Sequence, residues 1–436
     1  MHWSMWASLI SPLRLLILSL LVLAGSVKAQ DTILRVDPSH ALGPINPSVY
    51  GVNYGPWAPM SVKTLPLAMD LNLTFLRFPA GNWGDQFNLR VSDINAYITL
   101  AEQMEAEPSI SVRLEGGTAE KAAEIVRYVN IEKGYGVKYW SIGNEPDLYD
   151  DYTPERASEE WREFALAMQA VDPTILLMGP EVSQYPPTEA GDTYTNVRRE
   201  WVRTFLEMNG DLVDIVTIHR YPFPRNNVDA TTADALMANP PEWDVMIPNL
   251  RTLIQETIGR DLPIGVTEIN SHWSDSIGGV ATNDSFLNSI WWADVLGSLI
   301  RQQVDLVNFF YLRTSSSPSS YGLIGANDPH PTYYVYQLYK QFGTELIATE
   351  SNDSYVTITA ALTEEGDLTL IVVNRAATAK TVSLEIAGEG YTGDAGTWLM
   401  DESHQASAID PTPFRDTTAL ELPAYSVTLY RLSASQ

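Results

Sequence analysis

The chain is predicted to be an α/β protein: a (β/α)8 TIM barrel over residues 46–342, followed by an all-β sandwich domain over residues 343–436. Three observations carry that prediction. Short apolar strands alternate with helical segments eight times, which is the pattern of a closed parallel barrel. After Gly343 the helical segments stop, and short strands separated by turn residues take over. The length, 436 residues, exceeds one small domain, and 45 % hydrophobic content supplies a large core.

In chain order, Met1–Gln30 reads as a secretory signal peptide. Arg14 precedes Leu15–Ala24, where only Ser19 is polar, and Val27-Lys28-Ala29 offers small residues for cleavage. The apolar run is short for a bilayer, and an uncleaved anchor is the competing reading. The expected location is therefore secreted or extracytoplasmic. Residues 31–45 follow, with a strand at Asp31–Val36. The eight barrel strands are expected at Val49–Tyr54, Thr74–Phe78, Ser109–Leu114, Lys138–Gly143, Ile175–Gly179, Ile215–His219, Ile264–Glu268 and Val307–Leu312. Thr153-Pro154-Glu155 begins a helix with a cap, a first-position proline and an acidic first turn. Thr118 caps another, whose Ala122, Ile125, Val126 and Val129 share a face. The run Tyr333-Tyr334-Val335-Tyr336 reads as helix packing rather than a sugar platform. Ser315–Ser320 is expected as a loop after the eighth strand. The sandwich strands are expected at Tyr355–Leu362, Leu368–Asn374, Thr381–Ile386, Thr397–Met400 and Val427–Leu432.

No cysteine is present, so disulfides and thiolate metal sites are excluded. The formal charge of −27 opposes a nucleic-acid partner and weighs against a strongly anionic polymer. No HExxH, Walker-A or Gly-x-Ser-x-Gly pattern occurs. No cofactor and no metal are called for; the acidic run Asp147–Asp151 lacks recognisable ligand spacing.

Two segments carry the chemistry. Tyr139–Tyr149, YWSIGNEPDLY, is an apolar strand that Pro146 terminates, holding Glu145 at its tip. Leu262–Trp273, LPIGVTEINSHW, repeats the design with Glu268. A loop carboxylate bonded to its own turn is the bland account of either glutamate alone. Two carboxylates at strand tips of one sheet are what retaining glycoside hydrolysis requires. Gly-Asn-Glu-Pro, the later Thr-Glu and His219-Arg220-Tyr221 between them resemble the retaining glycoside hydrolases of clan A. The nearest patterns are those of α-L-arabinofuranosidases, endoglucanases, β-xylosidases and the β-glucuronidase/heparanase group. The resemblance covers most of the chain after Asp31. It implies that the first strand joins the sandwich, and that Asn144 hydrogen-bonds the sugar 2-hydroxyl.

Active sites of such barrels lie at the C-terminal strand ends. There the sequence sets Asn53, Tyr54 and Trp57 on the first strand, Arg77, Asn82 and Trp83 on the second, and Arg113 and Glu115 on the third. Asn144 and Glu145 follow on the fourth, Glu181 on the fifth, His219 and Tyr221 on the sixth, Glu268 on the seventh and Tyr311 on the eighth. Trp57, Trp83 and Trp273 are subsite candidates, with plain packing as the alternative; His219 has the alternative of a satisfied core histidine. Glu145 is expected as acid/base in a dry setting, and Glu268 as a nucleophile held ionised by Arg77 and Tyr221. Their carboxyl groups are expected roughly 5–5.5 Å apart. Arg220 is expected to turn away from the cleft by strand alternation. Of the four arginines at or near strand ends, Arg77 is committed to the nucleophile and Arg220 turns away, which leaves only Arg113 and Arg313 free. Structural pairing with rim carboxylates such as Glu115 or Glu181 is one reading of these arginines, and a fork onto a uronate is the other. Since the charge of −27 opposes an anionic polymer, a neutral glycan is expected. A uronic-acid substrate and a non-catalytic carbohydrate-binding barrel are the competing readings.

Overall fold

The computed structural model describes residues 32–188, 193–223, 230–273, 278–314, 321–388, 390–415 and 417–434. The segment read as a signal peptide and the Ser315–Ser320 loop lie outside these. Residues from Thr32 onward form one compact unit.

Strand β1 (Thr32–Pro44) comes first, and the barrel strands follow it: β2 (Gly51–Asn53), β3 (Phe75–Phe78), β4 (Glu107–Val112), β5 (Tyr139–Ile142), β6 (Leu176–Val182), β7 (Ile215–Arg220), β8 (Ile264–Ile269) and β9 (Leu306–Phe309). All pair in parallel, and β9 returns to β2 to close the barrel. The first strand is shorter than expected because Pro47–Tyr50 forms a 3-10 turn instead, capped by the Asn46 side chain on the Ser48 N–H. Thr118 and Thr153 cap their helices as the sequence indicates, each accepting from the backbone N–H three residues on.

Inside the barrel the filling changes with depth. Phe75, Met178, Ile215 and Leu306 form a small apolar cluster at the N-terminal strand ends. Nearer the C-terminal ends the fully buried interior is polar: Asn53, Arg77, Glu181, Thr217, His219, Thr267 and Asn308. Burying that many polar groups is costly unless they bond one another, so this layer must be a closed network.

The C-terminal strands are β10 (Glu345–Ser351), β11 (Val356–Leu362), β12 (Leu368–Asn374), β13 (Lys380–Ile386), β14 (Gly393–Met400), β15 (Ser407–Phe414), β16 (Thr417–Leu422) and β17 (Ser426–Leu432). With β1 they make one nine-stranded sheet in the order β15-β14-β17-β12-β11-β10-β1-β13-β16. The sandwich is thus a single sheet curled over its own core, which includes Leu34, Ile358, Leu370, Val372, Leu384 and Tyr430. Alternate residues Ile371, Val373, Val427 and Leu429 belong to the barrel's core. Every residue of β12 is therefore buried, as expected of a strand covered on both faces. The helix Phe286–Arg301 is buried almost all round, because it lies against this sheet. Strands β10, β15 and β16 escaped the sequence reading; β15 carries Pro411 and Pro413, tolerated because it is an edge.

Candidate active site

The polar mouth is assembled by irregular strand ends. Between β6 and β7 the register passes from Pro180↔Thr217 to Val182↔Ile218, leaving Glu181 as an extra residue. Between β7 and β8 it passes from Ile218↔Val266 to His219↔Glu268, leaving Thr267 extra. Such bulges re-aim side chains, and here they bring Thr267 and Glu268, adjacent in sequence, into one network. Glu145 reaches the mouth differently, in a left-handed conformation (φ 50°) with its N–H bonded to the Glu181 carbonyl at 3.0 Å.

Three donors converge on Glu268. Arg77 Nη1 donates to Oε1 at 2.9 Å, the Gly81 N–H to the same oxygen at 3.0 Å, and the Tyr221 hydroxyl to Oε2 at 2.8 Å. Arg77 is wholly buried; it also donates to Asn53 Oδ1 at 2.9 Å and Asn144 Oδ1 at 2.8 Å, and lies 3.5 Å from Glu181. Asn144 in turn donates to Asn82 Oδ1 at 2.9 Å. One guanidinium therefore orients the nucleophile candidate and the amide beside the acid candidate.

His219, fully buried, bridges two other carboxylates: Nδ1 stands 3.0 Å from Glu145 Oε1 and Nε2 2.8 Å from Glu181 Oε2. Burial alone would strip its proton, but Glu268, Glu145 and Glu181 around it raise its pKa to about 10. Both ring nitrogens then donate. Burial raises Glu145 above the ordinary carboxylate range, with His219 pulling the other way and Glu268 adding to the rise. Glu181 is the opposite case. Burial would push it up, yet Arg77, His219 and Ser141 hold it down to about 2. Ser141 and Thr267 hydroxyls also donate to it. Three acids in one site thus occupy distinct environments.

Carboxyl oxygens of Glu145 and Glu268 and a ring nitrogen of His219 lie within 4.8 Å of one another. That composition also suits a divalent cation, while both ring nitrogens of His219 already have carboxylate partners, Glu145 and Glu181. At Asp147 the acidic loop is used structurally: the buried carboxylate pairs with Arg198 at 2.9 Å and accepts from Ser183.

Around the mouth, Tyr54 stacks on Phe78, and Trp57 meets Tyr311 edge-on with ring centres 5.9 Å apart. Gly55 permits this, since a Cβ there would come within 1.9 Å of the Trp57 ring. Tyr311 stacks on Tyr321. Trp83 is half-buried against Phe87, itself 51 % exposed. Trp273 is half exposed after β8 and makes no ring contact among the described residues. Arg220 does turn outward, forking onto Glu242. The rim pairings offered as one reading of the arginines take another form, since the arginine that meets Glu181 is Arg77, at 3.5 Å. Glu181 is not a rim carboxylate but a fully buried one, and Arg113 meets the backbone carbonyl of Glu115, not its carboxylate. Arg313 donates to the carbonyls of Pro59 and Ala326. The sequence reading missed the Gly81 N–H and the roles of Ser141, Thr267 and Glu181. Gly-Pro-Glu at the end of β6 echoes Gly-Asn-Glu-Pro at the end of β5 and was the available signal.

Fold and site together define the class: a barrel with paired carboxylates at its mouth, of the kind glycosidases use. No protein-family model matches the chain. Its relatives are glycosidases. It is 25 % identical over 264 residues to an intracellular exo-α-(1→5)-L-arabinofuranosidase of Streptomyces lividans, covering 46 % of this chain and 38 % of the relative. It is 24 % identical over 226 residues to a hyaluronoglucuronidase of Hirudo nipponia, covering 50 % and 42 %. The match thus spans less than half the length of these relatives. Among solved structures, the family GH51 α-L-arabinofuranosidase of Thermotoga petrophila superposes with a TM-score of 0.74 at 18 % identity, covering 92 % of this chain and 99 % of that one. A Paenibacillus polymyxa xyloglucanase of family GH44 gives 0.73 at 14 %, covering 93 % and 100 %. At such identities the likeness establishes the shared fold, a (β/α)8 barrel with an attached β domain.

Proposed function

We propose that this protein is a secreted retaining O-glycoside hydrolase that cleaves a neutral poly- or oligosaccharide by double displacement. The observation that carries the reading is the approach of Glu145 and Glu268, whose carboxyl oxygens come within 4.8 Å. Inverting enzymes hold their carboxyl groups roughly 6.5–9.5 Å apart to admit a water and retaining ones roughly 5–5.5 Å; so close an approach of the nearest oxygens favours the retaining class. In the first step Glu268 attacks the anomeric carbon while the glycosidic C–O bond breaks and Glu145 gives its proton to the departing oxygen. Glu145, now ionised, then takes a proton from water, which attacks the glycosyl ester and frees Glu268. The environments support these roles: Glu145 is raised by burial, and three donors meet Glu268. Asn144, held by Arg77 and Asn82, is positioned as a candidate partner for the sugar 2-hydroxyl.

The test is a panel of aryl glycosides and soluble β-glucans, with product configuration followed by NMR. Retention supports the reading. Inversion would sink the nucleophile assignment, and no turnover of any glycoside would favour a carbohydrate-binding barrel. Export is tested by sequencing the N-terminus of protein recovered outside the producing cell.

One observation favours a second substrate class. Among the described residues, neither Arg113 nor Arg313 is paired with a carboxylate, and a guanidinium can fork onto a uronate. Matched neutral and uronic aryl glycosides decide between the two. We expect the larger kcat/KM for the neutral sugar; a preference for the uronide that vanishes in Arg113→Ala or Arg313→Ala would reverse the assignment.

A further inference from the structure

Glu181 has no exposed surface, so it cannot touch a sugar, yet it is tied to both carboxylates that do the chemistry proposed above. It meets Glu145 through His219 and through its own carbonyl, which accepts the Glu145 N–H. It meets Glu268 through Arg77. The charged groups facing this layer come from five strand ends: Arg77, Glu145, Glu181, His219 and Glu268. Asp147 adds a more distant charge near Glu145, and Tyr221 a hydroxyl near Arg77 and Glu268. With Glu145 protonated, two cations, Arg77 and His219, balance two anions, Glu181 and Glu268. Removing the Glu181 charge breaks that balance inside a buried site.

We propose that Glu181 is a positioning residue that keeps His219 an imidazolium, so that His219 always donates to Glu145 and supports its carboxylate when the glycosyl ester is hydrolysed. This rests on the catalytic reading above and assigns to it a group that never meets the substrate. Burial works against the proton on His219. When Glu145 itself is protonated, Glu181 at 2.8 Å is its nearest full negative charge; Glu268 stands 3.8 Å away. Without Glu181 the buried imidazole releases its proton. Glu145 then loses the cation 3.0 Å from its oxygen. The more distant Glu181 charge, lost at the same time, compensates only in part, so ionisation of Glu145 moves to higher pH.

The experiment measures the His219 ring nitrogens by 15N NMR in the wild type and in Glu181→Gln and Glu181→Asp, together with pH profiles of kcat/KM. In the wild type the His219 signals are expected to stay those of an imidazolium from about pH 5 to 8, the range in which an ordinary histidine titrates. In Glu181→Gln they should become those of a neutral ring within that range. The basic limb of kcat/KM should move to higher pH, and kcat/KM for a poor leaving group should fall about tenfold or more, a part of what an acid–base group supplies. Glu181→Asp, which keeps the charge, should restore most of the limb position. A neutral His219 in the wild type at pH 7 overturns the proposal even if no variant folds. So does a Glu181→Gln protein that turns over more slowly with an unmoved limb and a still-protonated His219, since that is a merely structural loss. The NMR reading needs no turnover. A wild type that hydrolyses no glycoside but shows the expected His219 behaviour therefore defeats the catalytic reading alone.

Discussion

Truncating each glutamate in turn separates the two roles through the cations left behind. Glu145→Ala removes the proton donor and opens a hole beside the His219 nitrogen, 3.0 Å from the missing oxygen. A positioned acid or base contributes about 10²–10⁴-fold, or about 2.7–5.4 kcal/mol of barrier at 1.36 kcal/mol per decade. That loss should appear in kcat/KM for a glycoside with a poor leaving group and largely vanish for an activated aryl glycoside, whose departing oxygen needs little protonation. Azide, drawn to the hole by His219, should attack the glycosyl ester from the same face as water and give a glycosyl azide of retained configuration. Glu268→Ala leaves Arg77, the Gly81 N–H and the Tyr221 hydroxyl facing an empty space. It removes the covalent route for every leaving group, and azide held by those donors would attack from the opposite side to give the inverted product. The assay is initial rates against a series of aryl leaving groups, with product configuration by NMR. If the two variants responded alike, or Glu268→Ala kept most of its activity, the assignment of roles would be wrong.

Two further outcomes concern stability. Asp85 is buried under Tyr149 without a well-formed hydrogen bond, and burial pushes its carboxyl from 3.8 up to about 7. A carboxyl raised in the folded state gives its full stability below its unfolded value and loses it as pH rises through the folded one. Asp85→Asn should therefore stabilise the fold little at pH 4 but by roughly 4 kcal/mol at pH 8, at 1.36 kcal/mol per pKa unit, read as a rise in Tm only at the higher pH; a gain independent of pH would refute this. Arg375 on the loop after β12 is buried against Asp294 at 2.5 Å. Asp294→Ala strands that cation, which costs about 3–5 kcal/mol, seen by calorimetry as a fall in Tm of about 4–6 °C for a chain of this length. A companion double variant, Asp294→Ala with Arg375→Met, should recover much of it, and a double variant as unstable as the sum of two full losses would count against the pairing.

The barrel was legible because its signal is local: apolar strands of three to seven residues, each entering a loop that carries a polar side chain. The contacts of His219 and Tyr221 on one side, and of Arg220 on the other, follow from strand alternation alone. Alternation fails where a bulge intervenes. Thr267 and Glu268 cannot both face one side of a regular strand, and only the extra residue between β7 and β8 lets both join the network. Nor does sequence reveal depth: Glu115 and Glu181 both come after apolar runs, yet one is half-buried and the other is sealed in. Edge strands β15 and β16 went unseen because half-exposed edges need no strong hydrophobic pattern; β15 pairs with the strand just before it, β14, while β16 pairs with β13, across two intervening strands in sequence.

Strand β1 sits inside the nine-stranded sheet, antiparallel to β10 and parallel to β13. The β13–β16 pair reaches the rest of the sheet through it. Removing residues 32–44 would thus leave two sheet fragments, not a sheet lacking one strand. Conversely, a barrel expressed only to residue 342 would carry a thirteen-residue strand open on both sides, a ready template for pairing between molecules. Anyone dissecting this protein has to cut it twice and keep the first strand with residues 343–436. During synthesis, that strand must wait for more than 300 residues before its partners appear, a loop closure of the kind that slows folding.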